Sequence, residues 1–472
     1  MRTAATSALL CFALSLSAYA EPRAEHEALR TQMNQLYQAG DYAKVIEIAT
    51  GILAANPGDD VAQYLRGSAK VESGIAQRNK QLLREGIADA TAAIQAKKTA
   101  TNYNYYLPYL YGMTNLGIVE QHPPHAKISV DVATKLVAQA GIDNESKSNL
   151  LYQRGLAKNA LGEGVGAIDD FRLAVAANQK HLGAFMALAD AQDANNQADA
   201  VLATYAQAAQ VFPNEPLVFN NQGMFLQRIK RTNDAVKSFT TALQKNPNYY
   251  VSLTNRGFAH LEGGNPAEAE KDFNASLALN PQQLSVYGLR GTTKLVRGQW
   301  QEALVDYEGL VKVDPTNYLG WCDVGFAKFF GKDYGGALDA FNKVIELQPD
   351  ARFINPWRVW TLIRLNRGPE AATIAAAIKQ KPEAQRDWWD HVVIFHVTGE
   401  LSSTQLLAIA QKAENKDVQT AQLCEARFFI AEQMLAAGKT QEATQFYQQV
   451  LQTQARQLSA FRGSQYALKQ FQ

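Results

Sequence analysis

Four arginines and four aspartates stand at recurring positions, and their side chains are those in this sequence best suited to chemistry. Each arginine directly precedes a glycine, and an aspartate follows in the same stretch. The pairs are Arg66 with Asp89, Arg154 with Asp170, Arg256 with Asp272, and Arg290 with Asp306. Aspartates could serve as general acids or bases, and arginines could bind an anion through two parallel hydrogen bonds.

The two charges occur only together, which favours a structural role. Three equivalent stretches that lack the arginine also lack the aspartate, and carry Leu188 with Thr204, Gln222 with Ser238, and Val324 with Ala340. A buried charge is costly without its partner, so this pattern is typical of an ion pair. We expect each arginine to pair with the aspartate of its own stretch.

The histidines do not form a recognisable reactive group. No two have the HExxH spacing, and the pair in His122-Pro123-Pro124-His125 has no nearby cysteine or carboxylate to complete a coordination shell. The sequence also has no GxSxG segment and no phosphate-binding glycine loop. We therefore expect no catalytic residue, no metal site and no cofactor, and we do not expect an enzyme.

A 34-residue interval positions the charged pairs. Two sets of residues recur at this interval. They are the prolines Pro213, Pro247, Pro281, Pro315 and Pro349, and the aromatic residues Phe171, Tyr205, Phe239, Phe273, Tyr307 and Phe341. The pattern resembles the tetratricopeptide repeat (TPR) family, with a small residue in the first helix of each unit and an alanine and an aromatic residue in the second. Six regular repeats fill residues 148–351 and begin at 148, 182, 216, 250, 284 and 318.

One unit explains why these residue types recur. Gly223 and Ala235 are small where two helices cross, Phe239 fills the space between the helices, and Pro247 ends the second helix. A lone hairpin would leave apolar surface exposed, so each unit must stack on its neighbours. We predict an all-α protein, a right-handed TPR alpha-alpha superhelix, which is a solenoid of about ten helical hairpins.

The resemblance implies that the first helix of each repeat lines a concave groove for a protein or peptide partner. The candidate groove residues are Asn149, Tyr152, Asn159, Asn220, Met224, Arg228, Phe258, Thr292 and Phe326. Amides can bond an extended backbone, and Met and Phe offer adaptable apolar contacts. TPR proteins that clamp a C-terminal carboxylate use a lysine at the fifth position of the repeat. None of these six repeats has a lysine there, so we do not expect a C-terminal carboxylate as ligand.

Residues 1–20 have the features of a cleavable export signal. Arg2 precedes an apolar stretch over residues 8–16, and Ala18-Tyr19-Ala20 suits a cleavage site. We expect a mature chain that begins at Glu21 and is periplasmic or secreted. We expect no lipid anchor, because Leu10 precedes Cys11 where a lipoprotein signal has a small residue. No later stretch has the length of a membrane span.

Charge and cysteine content narrow the class further. Loss of residues 1–20 removes Arg2 and leaves 45 basic residues against 45 acidic ones, so we expect neither nucleic acid nor an anionic membrane as partner. Cys322 and Cys424 lie about three repeats apart, beyond the ~7 Å that a disulfide spans. We expect both to be packed free thiols.

The N-terminal region, residues 21–147, contains divergent TPR-like hairpins. About seven extra residues around 77–85 should lengthen a helix or form a bulge. A tyrosine-rich segment at 103–111 reads as a packed helix followed by an exposed loop at 122–125. It could instead be a partner-binding aromatic patch, since tyrosine gives large contact area at low entropic cost.

The C-terminal region, residues 352–472, departs from the interval and ends in a capping helix. Its Trp388-Trp389 pair, Gly399 and the LCEARFF segment from Leu423 resemble the new lipoprotein I (NlpI) family of bacterial envelope TPR lipoproteins. That resemblance implies an adaptor that docks proteases or peptidoglycan hydrolases. The tryptophan pair could instead be packing that closes the solenoid, which is the interpretation we prefer.

Two functions remain open from the sequence. The first is an exported, non-catalytic scaffold that binds protein partners in cell-envelope assembly, secretion or peptidoglycan-related processes. The alternative is a glycan or small-ligand binding module of the envelope that uses the tyrosine-rich region. Partner, pathway and oligomeric state do not follow from the residues.

Overall fold

The computed structural model describes residues 24–96, 103–455 and 458–471, which form consecutive helical hairpins. Across these ranges the chain contains helices and no strand. The predicted all-α fold with TPR-type hairpins is thereby confirmed. The predicted export signal at residues 1–20 lies outside the described residues.

The chain divides into two compact units, unit 1 up to Val218 and unit 2 from Phe219. Unit 1 contains a short 3-10 helix, Tyr103–Tyr106, and ten α-helices: α1 Ala24–Gln38, α2 Tyr42–Ala55, α3 Asp60–Ala76, α4 Lys80–Ala96, α5 Leu107–Glu120, α6 Pro123–Val137, α7 Asn144–Ala160, α8 Gly164–Ala177, α9 Leu182–Ala194 and α10 Ala198–Val211. The boundary falls inside α11, Pro216–Arg228.

Unit 2 continues with helices from the regular repeats and from the C-terminal region. They are α12 Thr232–Lys245, α13 Tyr250–Glu262, α14 Pro266–Leu279, α15 Leu284–Val296, α16 Trp300–Val313, α17 Tyr318–Phe330, α18 Tyr334–Leu347, α19 Asn355–Arg364, α20 Gly368–Lys379, α21 Trp388–Thr398, α22 Ser403–Gln411, α23 Lys416–Ala436, α24 Thr440–Gln452 and α25 Ser459–Lys469. The described ranges thus hold twelve helix pairs and α25, more than the ten hairpins expected.

Two features of the N-terminal region decide between sequence expectations. The extra residues around 77–85 lengthen α3 and α4 to 17 residues each, so the longer-helix alternative is confirmed. The expected exposed loop at 122–125 is wrong, because Pro123 begins α6 directly after the cap residue His122. Proline suits the first turn of a helix, where its missing N–H has no partner to lose.

The repeat interval appears in the backbone as well. Helices α10, α12, α14, α16 and α18 each end two residues before a proline of the 34-residue series, since proline cannot continue a helix. Between the two helices of each regular repeat one residue has a positive φ angle: Gly162, Asn196, Lys230, Gly264, Gly298 and Lys332. The tight turn therefore demands the left-handed conformation even where no glycine is present.

The interior of a repeat shows the predicted close crossing. A β-carbon built on Gly291 of α15 would come within 2.7 Å of Cε1 of Tyr307 on α16. Tyr307 is fully buried, and its hydroxyl donates to Thr292 Oγ1 at 3.0 Å. The small residue is thus required by the aromatic ring that the facing helix places against it.

The predicted ion pairs are confirmed in all four repeats. Arg256 of α13 donates from Nε and Nη2 to the carboxylate of Asp272 on α14 at 2.8 and 2.7 Å, and the other three pairs have the same two-bond geometry. In one of the three repeats with neutral residues at these positions, Ser238 donates to Gln222 at 3.0 Å. The eight charged residues therefore join the helices of each hairpin.

Aromatic residues join the last regular repeat to the C-terminal helices of unit 2. The Trp357 ring of α19 lies 4.8 Å from Phe326, 5.1 Å from Phe428 and 5.2 Å from Phe429, measured between centroids. The indole of Trp388 donates to Glu425 at 2.5 Å, and Trp388 is buried. Of the two roles open to the tryptophan pair, packing therefore describes Trp388. Cys322 and Cys424 are buried free thiols, as expected.

Candidate functional site

Three helices of unit 2 enclose a cleft of about 650 Å³. The first helices of two consecutive repeats, α13 and α15, form one side, and the C-terminal helix α25 forms the other. Turn residues Lys230 and Gly264 also contribute to its lining. The volume falls within the roughly 300–1,000 Å³ of ligand-binding cavities.

Helix α25 is held against the repeats by specific contacts. Arg462 donates from Nη1 to Thr292 Oγ1 at 3.3 Å, and Lys469 donates from Nζ to the carbonyl of Val296 at 3.0 Å. Gly463 lies so close to the neighbouring rings that an added β-carbon would be 2.6 Å from Phe330 and 2.8 Å from Phe428. The C-terminal segment thus returns to the first helices of the repeats and narrows their groove to the cleft.

The cleft has an apolar part that is open to solvent. Phe258 of α13 is 39% exposed, whereas Phe273 of the same repeat is fully buried. Leu261, Leu289, Val296 and the buried Phe461 also line the cleft. Exposed aromatic surface in a concave site is suited to an apolar side chain of a partner.

The charged side chains of the cleft are predominantly basic. Lys230, Arg462 and Lys469 line it together with one acidic residue, Glu262, which accepts a hydrogen bond from Gln227 at 2.7 Å. Burial and the nearby charge of Arg297 lower the pKa of Lys469. A bound anion would offset both effects, because it favours the charged form of the lysine.

The structure brings two of the sequence-derived candidates to the cleft. Phe258 and Thr292 both line it. Thr292 already accepts hydrogen bonds from Tyr307 and Arg462, so Phe258 is the more available of the two.

Four other candidates lie inside the repeat packing. Asn149, Tyr152, Asn220 and Phe326 are all buried. Asn220, for example, accepts hydrogen bonds from Ser252 at 2.8 Å and Asn255 at 3.0 Å. Amides on the groove-facing helices are therefore used to bond one repeat to the next, which sequence position alone does not distinguish from partner binding.

The remaining candidates are placed outside the cleft lining. Asn159 and Arg228 are exposed near the ends of α7 and α11, and Met224 is partly buried beside Asn220. The basic cleft residues were missed by sequence reasoning. Position 230 belongs to a turn, and nothing in the segment 459–469 indicates that it contacts Thr292, 170 residues earlier.

Two histidines, His181 and His396, are buried and interact with neighbouring residues of the fold. His181 caps α9 by accepting from the Ala184 N–H at 3.0 Å, and burial lowers its pKa to about 4. His396 stacks on Trp360 at 4.7 Å, and burial lowers its pKa to about 3. His125 does have a carboxylate neighbour that the sequence reasoning overlooked, Glu120 at 3.2 Å. Within the described ranges, no group of three or more potential metal ligands occurs.

The tyrosine-rich segment of unit 1 is largely packed. Tyr105 is buried and donates to Asp60 at 2.8 Å. Glu72 of α3 accepts from Tyr37, and its pKa is raised to about 7 because burial disfavours the charged form.

No described helix is long and apolar enough to cross a membrane.

Comparisons with known proteins find solved TPR structures that are similar to part of the chain. No protein-family model and no curated protein match the chain. The chain is similar to PilF of Pseudomonas aeruginosa, at 22% identity over 44% of this chain and 95% of that one with a TM-score of 0.38. It is similar to a tetratricopeptide repeat protein from Parabacteroides merdae at 16% identity over 54% and 98%, TM-score 0.39. It is also similar to YrrB, described as a TPR protein with an unusual peptide-binding site, at 19% identity over 38% and 93%, TM-score 0.35.

Proposed function

We propose that this protein is an exported, non-catalytic TPR scaffold that binds a segment of a partner protein in the cleft of unit 2. One observation carries the proposal: Phe258 is exposed inside a concave site between α13, α15 and α25. A partner side chain seated on Phe258 would bury apolar area from both molecules, the dominant favourable contribution in most protein association.

The proposed setting is the cell envelope. Its support is the export-type segment at residues 1–20 and the likeness of residues 352–472 to envelope TPR lipoproteins. The test is fractionation of cells that make the full chain or a chain without residues 1–20. The full chain should be recovered in the periplasm with Glu21 at its N-terminus, and the shortened chain in the cytoplasm. Equal distribution of the two would exclude export by this segment.

The binding role is tested by two separate variants, each of which replaces one apolar residue with aspartate. Phe258→Asp places a charge in the cleft, whereas Val305→Asp places it on α16 outside the cleft, where Val305 is 70% exposed. Partner proteins recovered with the purified wild-type protein should be lost with Phe258→Asp and retained with Val305→Asp. Retention of the same partners by both variants would contradict binding in the cleft.

A further inference from the structure

The cleft is lined by three cationic side chains and one carboxylate, so positive charge is in excess there. Arg462 is hydrogen-bonded to the hydroxyls of Thr292 and Ser459, and Lys469 to a backbone carbonyl. Within the described residues, neither they nor Lys230 forms an ion pair with a carboxylate. The repeat arginines differ, because Arg256 and Arg290 are each bonded to an aspartate.

Two acidic residues offset part of this charge: Glu262 lies in the cleft lining, and the carboxyl of Asp323 interacts with the charge of Arg462. Glu262 is hydrogen-bonded to Gln227. Asp323 lies close enough to feel the charge of Arg462, yet burial raises its pKa to about 6 against that influence. The Nε–H of Arg462 is buried and has no hydrogen-bond acceptor among the residues that the structure describes. A ligand carboxylate that pairs with the guanidinium of Arg462 would supply a charge-assisted hydrogen bond.

The basic and apolar parts of the cleft adjoin. Lys230 comes from the turn before α12, and Arg462 and Lys469 come from α25, whereas Phe258, Leu261 and Leu289 come from α13 and α15. Two of the three cations thus belong to the C-terminal helix rather than to any repeat position. An occupant must therefore offer an apolar group to the repeats and negative charge to α25 and the turn.

We propose that the cleft binds an acidic segment of the partner in which carboxylates flank an apolar side chain. The apolar side chain packs on Phe258, and the carboxylates pair with Lys230, Arg462 and Lys469. This inference rests on the proposed function and specifies its ligand. Because part of the attraction is between charges near solvent, binding weakens as salt is added.

The test uses short synthetic peptides as probes. One peptide has glutamates around a central phenylalanine, the second has glutamine at every glutamate, and the third has alanine for the phenylalanine. Their affinities for the wild-type protein are measured by fluorescence anisotropy at low and high salt. We expect the glutamine and alanine peptides each to bind at least about tenfold more weakly than the first at low salt.

Variants link the effect to the cleft. Lys230→Glu combined with Lys469→Glu should weaken the binding of the glutamate peptide by about tenfold or more. The same double variant should bind more tightly a peptide in which lysines replace the glutamates. Lys312→Glu is the matched control, because Lys312 is exposed on α16 outside the cleft, and it should retain wild-type affinity. Unchanged helical circular dichroism shows that the double variant is folded.

The outcomes separate the two proposals. Equal affinity for glutamate and glutamine peptides, or equal weakening by Lys312→Glu and the cleft variant, overturns the acidic-segment inference. If a protein partner is nevertheless lost with Phe258→Asp and kept with Val305→Asp, the proposed scaffold function stands. Retention of the partner by both variants overturns that function instead.

Discussion

Arg256 and Asp272 lie on facing helices of one hairpin and share two parallel hydrogen bonds of 2.8 and 2.7 Å. Asp272 is 5% exposed. The same repeat position holds the neutral pair Gln222 and Ser238, joined by one hydrogen bond of 3.0 Å. The protein therefore contains both a charged and a neutral version of one inter-helix connection.

The presence of a neutral pair at the same repeat position predicts that the stability effects of substituting Arg256 and Asp272 are strongly coupled. Arg256→Gln alone leaves a buried carboxylate without its cation, and we expect a loss of about 3 kcal/mol in unfolding free energy. The double variant with Asp272→Ser recreates the neutral pair and should lie within about 1 kcal/mol of wild type. Urea denaturation of the four proteins measures this cycle. Additive losses would show that the two side chains act independently.

Two glycines of the fifth regular repeat should respond in opposite directions to alanine. A β-carbon at Gly291 meets the Tyr307 ring at 2.7 Å, whereas one at Gly309 meets nothing within 4 Å. Gly291→Ala should destabilise the protein by roughly 1–3 kcal/mol through overpacking. Gly309→Ala should stabilise it by about 0.5–1 kcal/mol, because glycine loses more backbone freedom in a helix. Melting temperatures that shift equally would contradict the close crossing of α15 and α16.

Glu425 should make stability depend on pH. Burial raises its pKa from 4.5 to about 7, so its favourable contribution is full below about pH 4.5 and is lost as the pH rises through 7. Glu425→Gln keeps an acceptor for Trp388 but removes the titration. Relative to wild type, the variant should gain up to about 3 kcal/mol between these pH values.

The measurement for Glu425 is urea denaturation at several pH values. Glu414→Gln is the control, since Glu414 is exposed between α22 and α23, and its stability difference from wild type should remain small across the range. A Glu425→Gln difference that is equally constant with pH would show that the carboxyl is not held in its neutral form.

The docking of α25 should depend on Gly463. Leucine at this position has no room between the rings of Phe330 and Phe428, so Gly463→Leu should displace α25 from the repeats. Limited proteolysis followed by mass spectrometry should then show faster cleavage near residue 459. Gly368→Ala, at a position with nothing within 4 Å, should leave cleavage unchanged. Identical digestion of Gly463→Leu and wild type would contradict the packed position of α25.

The sequence predicted those features that repeat, because repetition exposes a shared physical requirement. The prolines mark helix ends. Repeats that lack the arginine also lack the aspartate, as at Gln222 and Ser238, and this joint absence predicts the ion pairs of the other repeats. The turn residues Asn196, Lys230 and Lys332 escaped notice, since they share a φ angle rather than a residue type. Only the backbone reveals that equivalence.

The candidate site was predicted less well for a physical reason. Helical periodicity tells which face of a helix a residue occupies, but not which later segment covers that face. Asn220 and Phe326 have groove positions and yet are buried. Arg462 and Lys469 contact residues that lie 170 and 173 positions earlier in the chain. Such long-range contacts leave no local pattern in the sequence.

The most direct test of the account is photo-cross-linking from two positions of unit 2. A photoreactive residue replaces Phe258 in the cleft or Val305 on α16, the latter being the more exposed site. The account predicts one recurrent partner peptide, identified by mass spectrometry, that is captured from position 258, is lost when Lys230→Glu and Lys469→Glu are added, and is not captured from position 305. Capture of the same peptide from position 305, or no specific capture from position 258, would contradict binding in the cleft.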